Sequence, residues 1–201
     1  MERCELAKSK ISWILRTFHS RKPTPMLTLW KSLVLCHLEY CSQLWSPSKI
    51  GCIQSLELLQ KAFINRIDGM RDHSYWDQLK LLKLFFLERR RERYQVIYTW
   101  QILEEQVPNL ECTPIRSSHS ERRGRSCVPP SIPSTTPERI KSIRFASLSH
   151  KGPRLFNSLP RELRDIKGCS LDIYKKSLYR YLSELPDEPL LPNMTQYIKC
   201  D

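Results

Sequence analysis

Apolar residues recur at steps of three and four through most of the first half of the chain, the spacing of one helix face. Glu2 to Ser20 carries Leu6, Ile11, Ile14, Leu15 and Phe18 among lysines and arginines, which predicts a first helix. Thr24-Pro25 then offers a hydroxyl N-cap followed by proline at the first helical position. A second helix is expected from there to about Trp45, roughly 30 Å long at about 1.5 Å per residue. Its later part, LVLCHLEYCSQLWSP (33–47), sets Leu33, His37, Tyr40, Cys41, Leu44 and Trp45 on one face. Ser46-Pro47 stops it, because proline lacks an amide donor and disfavours helix in the residue before it.

The same pattern predicts a third helix from about Lys49 to Ile67, with Ile50, Ile53, Leu56, Gln60, Phe63, Ile64 and Ile67 inward and Gly69 suited to a C-terminal cap. Ser74 to Asp77 has the form of a capping box, with Asp for the usual Glu, opening a short helix through Leu82. Leu87 to Val107 is the last long helix of this half, ended by Pro108.

Residues 108–140 change character. Five prolines and six serines fall between Cys112 and Pro137, too little apolar surface to offset the ordering entropy, so a flexible basic linker is expected. Short extended pieces fit Cys127-Val128 and Ile143 to Leu148. A small helical unit over 141–185 follows, with turns of helix at 152–159 and 160–166 and a helix from Ser170 through Leu185. Tyr174, Leu178, Tyr181, Leu182 and Leu185 line its apolar side. Residues 186–201 read as a proline-rich tail. The fold class is therefore mainly α: a helical domain over 1–107, a Pro/Ser/Arg-rich linker and a small helical C-terminal unit.

Composition adds a direction. The 201 residues carry a formal charge of +12, and from Arg116 to Arg180 there are 15 Lys/Arg against 5 Asp/Glu. Such an excess attracts polyanions, of which nucleic acid is the commonest inside a cell. No apolar run approaches the roughly 20 residues of a membrane-spanning helix, and the N-terminus, MERCELAKSK, lacks an apolar signal core. An intracellular protein, nuclear or cytoplasmic and not secreted, is expected, without a membrane partner. Its 8 cysteines show no tight framework and are expected as reduced thiols.

The phrases WILRTF (13–18), HLEYCSQLWSP (37–47), YWDQLKLLKL (75–84), ERRRERY (88–94) and KGPRLFNSLPRELR (151–164) occur in an order and spacing that resemble the C-terminal region of jockey-like non-LTR retrotransposon reverse transcriptases. The resemblance spans about 5–185 and implies a thumb-like helical bundle with its downstream extension. Similar elements usually carry Arg-Pro where this chain has Leu35-Cys36, so the helix here is expected to run unbroken. They often have Trp at Phe156. Family members polymerise DNA with paired aspartates that hold two metal ions. The seven aspartates here, at 68, 72, 77, 165, 172, 187 and 201, include no adjacent pair. The resemblance thus implies part of an RNA-directed DNA polymerase without palm or fingers, and no enzyme in this chain alone.

Candidate contacts to nucleic acid follow from charge and position. In ERRRERY, Arg89 and Arg93 stand one turn apart with Arg90 and Arg91 beside them, a face that can track phosphates or simply face water. Arg122, Arg123 and Arg125 lie in the expected linker, as phosphate ligands or solubilising charge. Lys151 and Arg154 open the KGPRLFNSLP turn, whose apolar residues dock on the final helix. No catalytic residue is assigned. His37 and Cys41 are one turn apart, but a zinc site needs about four ligands, so they read as core, with no metal and no cofactor. Trp13, Trp30, Trp45 and Trp100 likewise read as core, with Trp76 open. The expected partner is RNA or an RNA–DNA hybrid, together with the palm and fingers that the parent polymerase would supply. A helical protein-interaction module, or a non-functional transposon relic, is the alternative.

Overall fold

The computed structural model describes residues 2–47, 49–107, 115–116 and 125–185 and is mainly helical. Its elements are α1 (Glu2–Thr17), α2 (Pro23–Leu29), a π-helical segment (Trp30–Leu35), α3 (Cys36–Glu39), α4 (Ser42–Trp45), α5 (Ile50–Ile64), α6 (Tyr75–Leu81) and α7 (Leu87–Leu103). There follow β1 (Ile115–Arg116), β2 (Cys127–Val128), α8 (Glu138–Ala146), α9 (Leu148–Ser158), α10 (Arg161–Arg164) and α11 (Leu171–Glu184). The two strands are antiparallel, with Ile115 opposite Val128. Among the described residues the chain divides into two compact units, one holding residues up to Ser42 and Pro47–Arg90, the other Gln43–Ser46 and 91–185.

In the first unit the expected second helix starts two residues early. Lys22 is extended and Pro23 takes the first helical position, where its missing N–H costs nothing. The buried face is Met26, Trp30, Val34 and Leu38, not the Leu33–His37–Tyr40–Leu44 stripe. Tyr40 is 68% exposed and Leu44 85%. The inward residues step by four. In a pure α-helix of about 3.6 residues per turn, such a stripe drifts around the axis. The wider π turn between Trp30 and Leu35 takes up that drift. On the outer side Thr28, Ser32 and Cys36 each donate a side-chain hydrogen bond to the carbonyl four residues back, at 3.0, 2.8 and 3.0 Å. The helix passes through Leu35-Cys36 as expected but ends at Tyr40, and Cys41 has φ 51°.

Trp30 packs on Phe63 of α5, ring centroids 5.0 Å apart, and Ile14, Leu56, Ile64 and Leu79 of the same unit are buried as well. Leu6 and Ile50, expected inward, are exposed. The N-cap half of the expected capping box forms: Ser74 Oγ accepts from the Asp77 amide at 3.2 Å and opens α6, while the Asp77 carboxylate accepts from the Ser74 hydroxyl at 2.6 Å. Gly69 has φ 77°, a left-handed conformation that a Cβ would strain. A buried carboxylate ties three elements together. Glu57 accepts the phenolic hydrogen bond of Tyr75 and the Leu87 amide at 2.8 Å, satisfying an otherwise orphan donor at the start of α7. Gln60 Nε2 completes this network through the Phe85 carbonyl at 3.2 Å.

The boundary between units falls within α7 after Arg90, not at 108. The reason lies in the second core. Val96, Ile97, Trp100 and Leu103 of α7 pack with Cys127, Phe156, Leu159, Leu163, Tyr174 and Leu178, so most of α7 belongs with the C-terminal half. Phe156 is fully buried there. The KGPRLFNSLP turn is helical: Gly152 and Pro153 lie inside α9. A Cβ on Gly152 would meet Thr99 Oγ1 at 2.4 Å, so this glycine sets the close approach of α9 to α7. Asn157 clamps β2, its amide donating to the Cys127 carbonyl at 2.7 Å and its carbonyl accepting the Cys127 amide at 2.9 Å. The expected strand over 143–148 is instead α8 and the start of α9.

Candidate nucleic-acid interface

The first unit holds two of the candidate arginines. Arg90 makes a two-pronged ion pair with Glu39, its second contact at 3.1 Å. A fork-to-fork pair of this kind occupies the guanidinium's donors. Arg89 lies 5.8 Å from the centre of the Phe86 ring.

In the second unit, Arg91 is buried, at 1% exposure, and so cannot face a phosphate. It heads an inward polar stripe with Gln95 and Thr99 at steps of four. Arg93, half a turn away, is partly exposed, with its guanidinium carbon 6.0 Å from the centre of the Tyr179 ring. Lys151 pairs with Glu92 at 3.2 Å. Arg154 is exposed.

Arg125 is a structural cation. Its side chain is 8% exposed and meets Glu104 at 2.5 Å, and it donates to the carbonyls of Leu103 at 2.8 Å and Ile166 at 3.2 Å. Its amide donates to Asp165 at 2.7 Å, and its carbonyl accepts from Arg164 at 2.9 Å. That amide bond, reinforced by Arg161, holds the Asp165 carboxyl below the ordinary carboxylate range. Arg125 pins the middle of the expected linker to the second core, and it is not a mobile phosphate ligand. Arg122 and Arg123 lie outside the described residues.

The cations that do converge were not singled out by sequence, Arg93 excepted. Arg93 of α7 and Lys175, Lys176 and Arg180 of α11 line an open groove of about 670 Å³, together with Asp172, Tyr179 and Ser183. Four cations there face one carboxylate, and Asp172 lies 3.9 Å from Lys175, so a positive excess remains. The helix explains the grouping. Asp172, Lys176, Tyr179, Arg180 and Ser183 recur at steps of three and four on the side of α11 away from Tyr174 and Leu178, which are buried. The signal legible in sequence was the basic, polar face opposite α11's apolar side.

Of the five tryptophans, Trp30 and Trp100 are core, whereas Trp13 is 46% exposed and meets Phe18 edge-on at 5.9 Å. Trp76 is partly exposed with Lys80 4.6 Å over its ring. Among the described residues no three His, Cys, Asp or Glu side chains gather as metal ligands, and no helix is long and apolar enough to cross a membrane. No family model, no curated protein and no solved structure matches the chain.

Proposed function

We propose that this chain is a non-catalytic remnant of a retrotransposon RNA-directed DNA polymerase that binds the backbone of RNA or an RNA–DNA duplex inside the cell. The observation that carries the binding is the groove of Arg93, Lys175, Lys176 and Arg180 around a single carboxylate. Lysine and arginine contacts to phosphate supply sequence-independent affinity, and at physiological salt charges within about 8 Å still act together. Tyr179, 43% exposed in the groove, adds a ring on which an unpaired base can stack. Arg154 extends the same unit's exposed basic surface.

The ancestry rests on the ordered phrases from WILRTF to KGPRLFNSLPRELR. In this reading the palm and fingers of the parent enzyme are the absent partners, and polymer synthesis belonged to them. The direct experiment is titration of a labelled RNA–DNA duplex over a salt series, with primer extension in magnesium or manganese alongside. Affinity that falls steeply with salt, without primer extension, supports the reading. No binding at low salt, or robust synthesis, overturns it.

A second reading has its own observation. Trp13, Tyr40, Ile50 and Leu58 of the first unit are exposed apolar side chains, which favours a helical protein-interaction module. Self-association indifferent to salt and nuclease would select it.

A further inference from the structure

We propose that Ser183 is a phosphorylation site and that its phosphate closes the basic groove to nucleic acid. This inference rests on the backbone-binding reading above and adds its regulation. Ser183 is an exposed residue that lines the groove. It stands three residues after Arg180, with Lys175 and Lys176 further upstream. A protein kinase whose acidic cleft reads basic residues on the N-terminal side of its acceptor finds that pattern here.

The site is also accessible to such an enzyme. Ser183 is the penultimate residue of α11, and Leu185 is already extended, with ψ 139°. The last turn of a helix opens at little cost. Among the described residues the Ser183 hydroxyl is held by the local bond to the Arg180 carbonyl at 2.7 Å, which is exchanged when that turn opens.

In the transfer, Ser183 Oγ attacks the γ-phosphorus of ATP. The new O–P bond forms as the bond to the β–γ bridging oxygen breaks, ADP leaves with the electron pair, and the hydroxyl proton passes to the kinase's base. The product carries about two negative charges and three acceptor oxygens. Four cations and Asp172 line the groove, so a charge of that size cancels most of the positive excess. The phosphate draws Arg180 and Lys176 to itself and competes directly with a nucleic-acid phosphate. It also opposes the dipole at the helix C-terminus, which loosens the last turn.

The experiment treats the full chain with ATP and a basophilic kinase, maps the phosphate by mass spectrometry, and titrates a labelled RNA–DNA duplex over a salt series. The expected result is phosphate at Ser183, absent in Ser183→Ala. Duplex affinity should fall on the order of tenfold at about 0.1 M salt, with a log–log salt slope shallower by roughly 1.8, the equivalent of two lost phosphate contacts. Kinase treatment of Ser183→Ala should change its affinity less than twofold. Modification of other serines with none at Ser183, or full phosphorylation of Ser183 with unchanged binding, overturns the switch alone. Failure of the unmodified chain to bind the duplex overturns the binding reading and the switch together.

Discussion

Trp100 and Tyr174 stack almost parallel, ring centroids 4.4 Å apart and planes 8° from each other. The pair joins α7 to α11, and the Trp100 indole N–H donates to the Ile166 carbonyl at 3.1 Å. Through it, the helix carrying Lys175, Lys176 and Arg180 is held against the helix carrying Arg93. Trp100→Ala should cost about 3–5 kcal/mol and weaken duplex binding along with the fold, as chemical denaturation and the salt titration would show.

The Tyr174 hydroxyl is buried and has no hydrogen-bond partner among the described residues. Tyr174→Phe should therefore stabilise the chain by about 1 kcal/mol. Burial raises the phenol's pKa above its ordinary value, so its contribution is full below about pH 10, where the unfolded chain's tyrosine begins to ionise. It is lost as pH rises towards the buried group's own higher value. Denaturation midpoints at pH 8 and above 10 should differ less in Tyr174→Phe than in the parent.

Arg125 couples to Glu104, Leu103 and Ile166 at once. Arg125→Ala should cost about 3 kcal/mol by leaving a buried carboxylate unpaired. Arg125→Lys should recover little, because a point charge cannot replace a fork with several donors. The nearby Asp165 has a lowered pKa. Its contribution is present above the unfolded value of about 3.9 and is lost as pH falls through the lower, folded value. Acid unfolding of Asp165→Asn should lack that component.

Gly152→Ala forces a methyl group against Thr99 Oγ1, whose β-branched side chain is fixed by its bond to the Gln95 carbonyl at 2.9 Å. A loss of about 1–3 kcal/mol is expected. Adding Thr99→Ala should return part of it, a coupling that a double-mutant cycle measures.

Much of this architecture is legible in the amino-acid sequence. Periodicity located α1, α5, α7 and α11, and the Ser74 cap and the apolar side of α11 at Tyr174 and Leu178 stand as expected. What escaped was set by contacts between distant segments. The inward face of the second helix depends on a π turn that places Met26, Trp30, Val34 and Leu38 in line, and local spacing does not encode it. Arg91 and Arg125 looked like solvent cations because their neighbours in sequence are polar. The partners that bury Arg125, Glu104 and Ile166, lie 21 residues before it and 41 after it. Lys175, Lys176 and Arg180 were visible as the polar side of an amphipathic helix, but their meeting with Arg93 is a property of the second core.

The decisive measurement is the salt dependence of RNA–DNA duplex binding by the triple variant Lys175→Ala, Lys176→Ala, Arg180→Ala, compared with the parent chain. These side chains lie outside the second core, so the variant should keep its thermal stability. If the groove grips the backbone, the log–log slope should become shallower by about 2.7, at roughly 0.9 for each lost phosphate contact. Equal slopes and equal affinities for parent and variant, with both folded, would contradict the account.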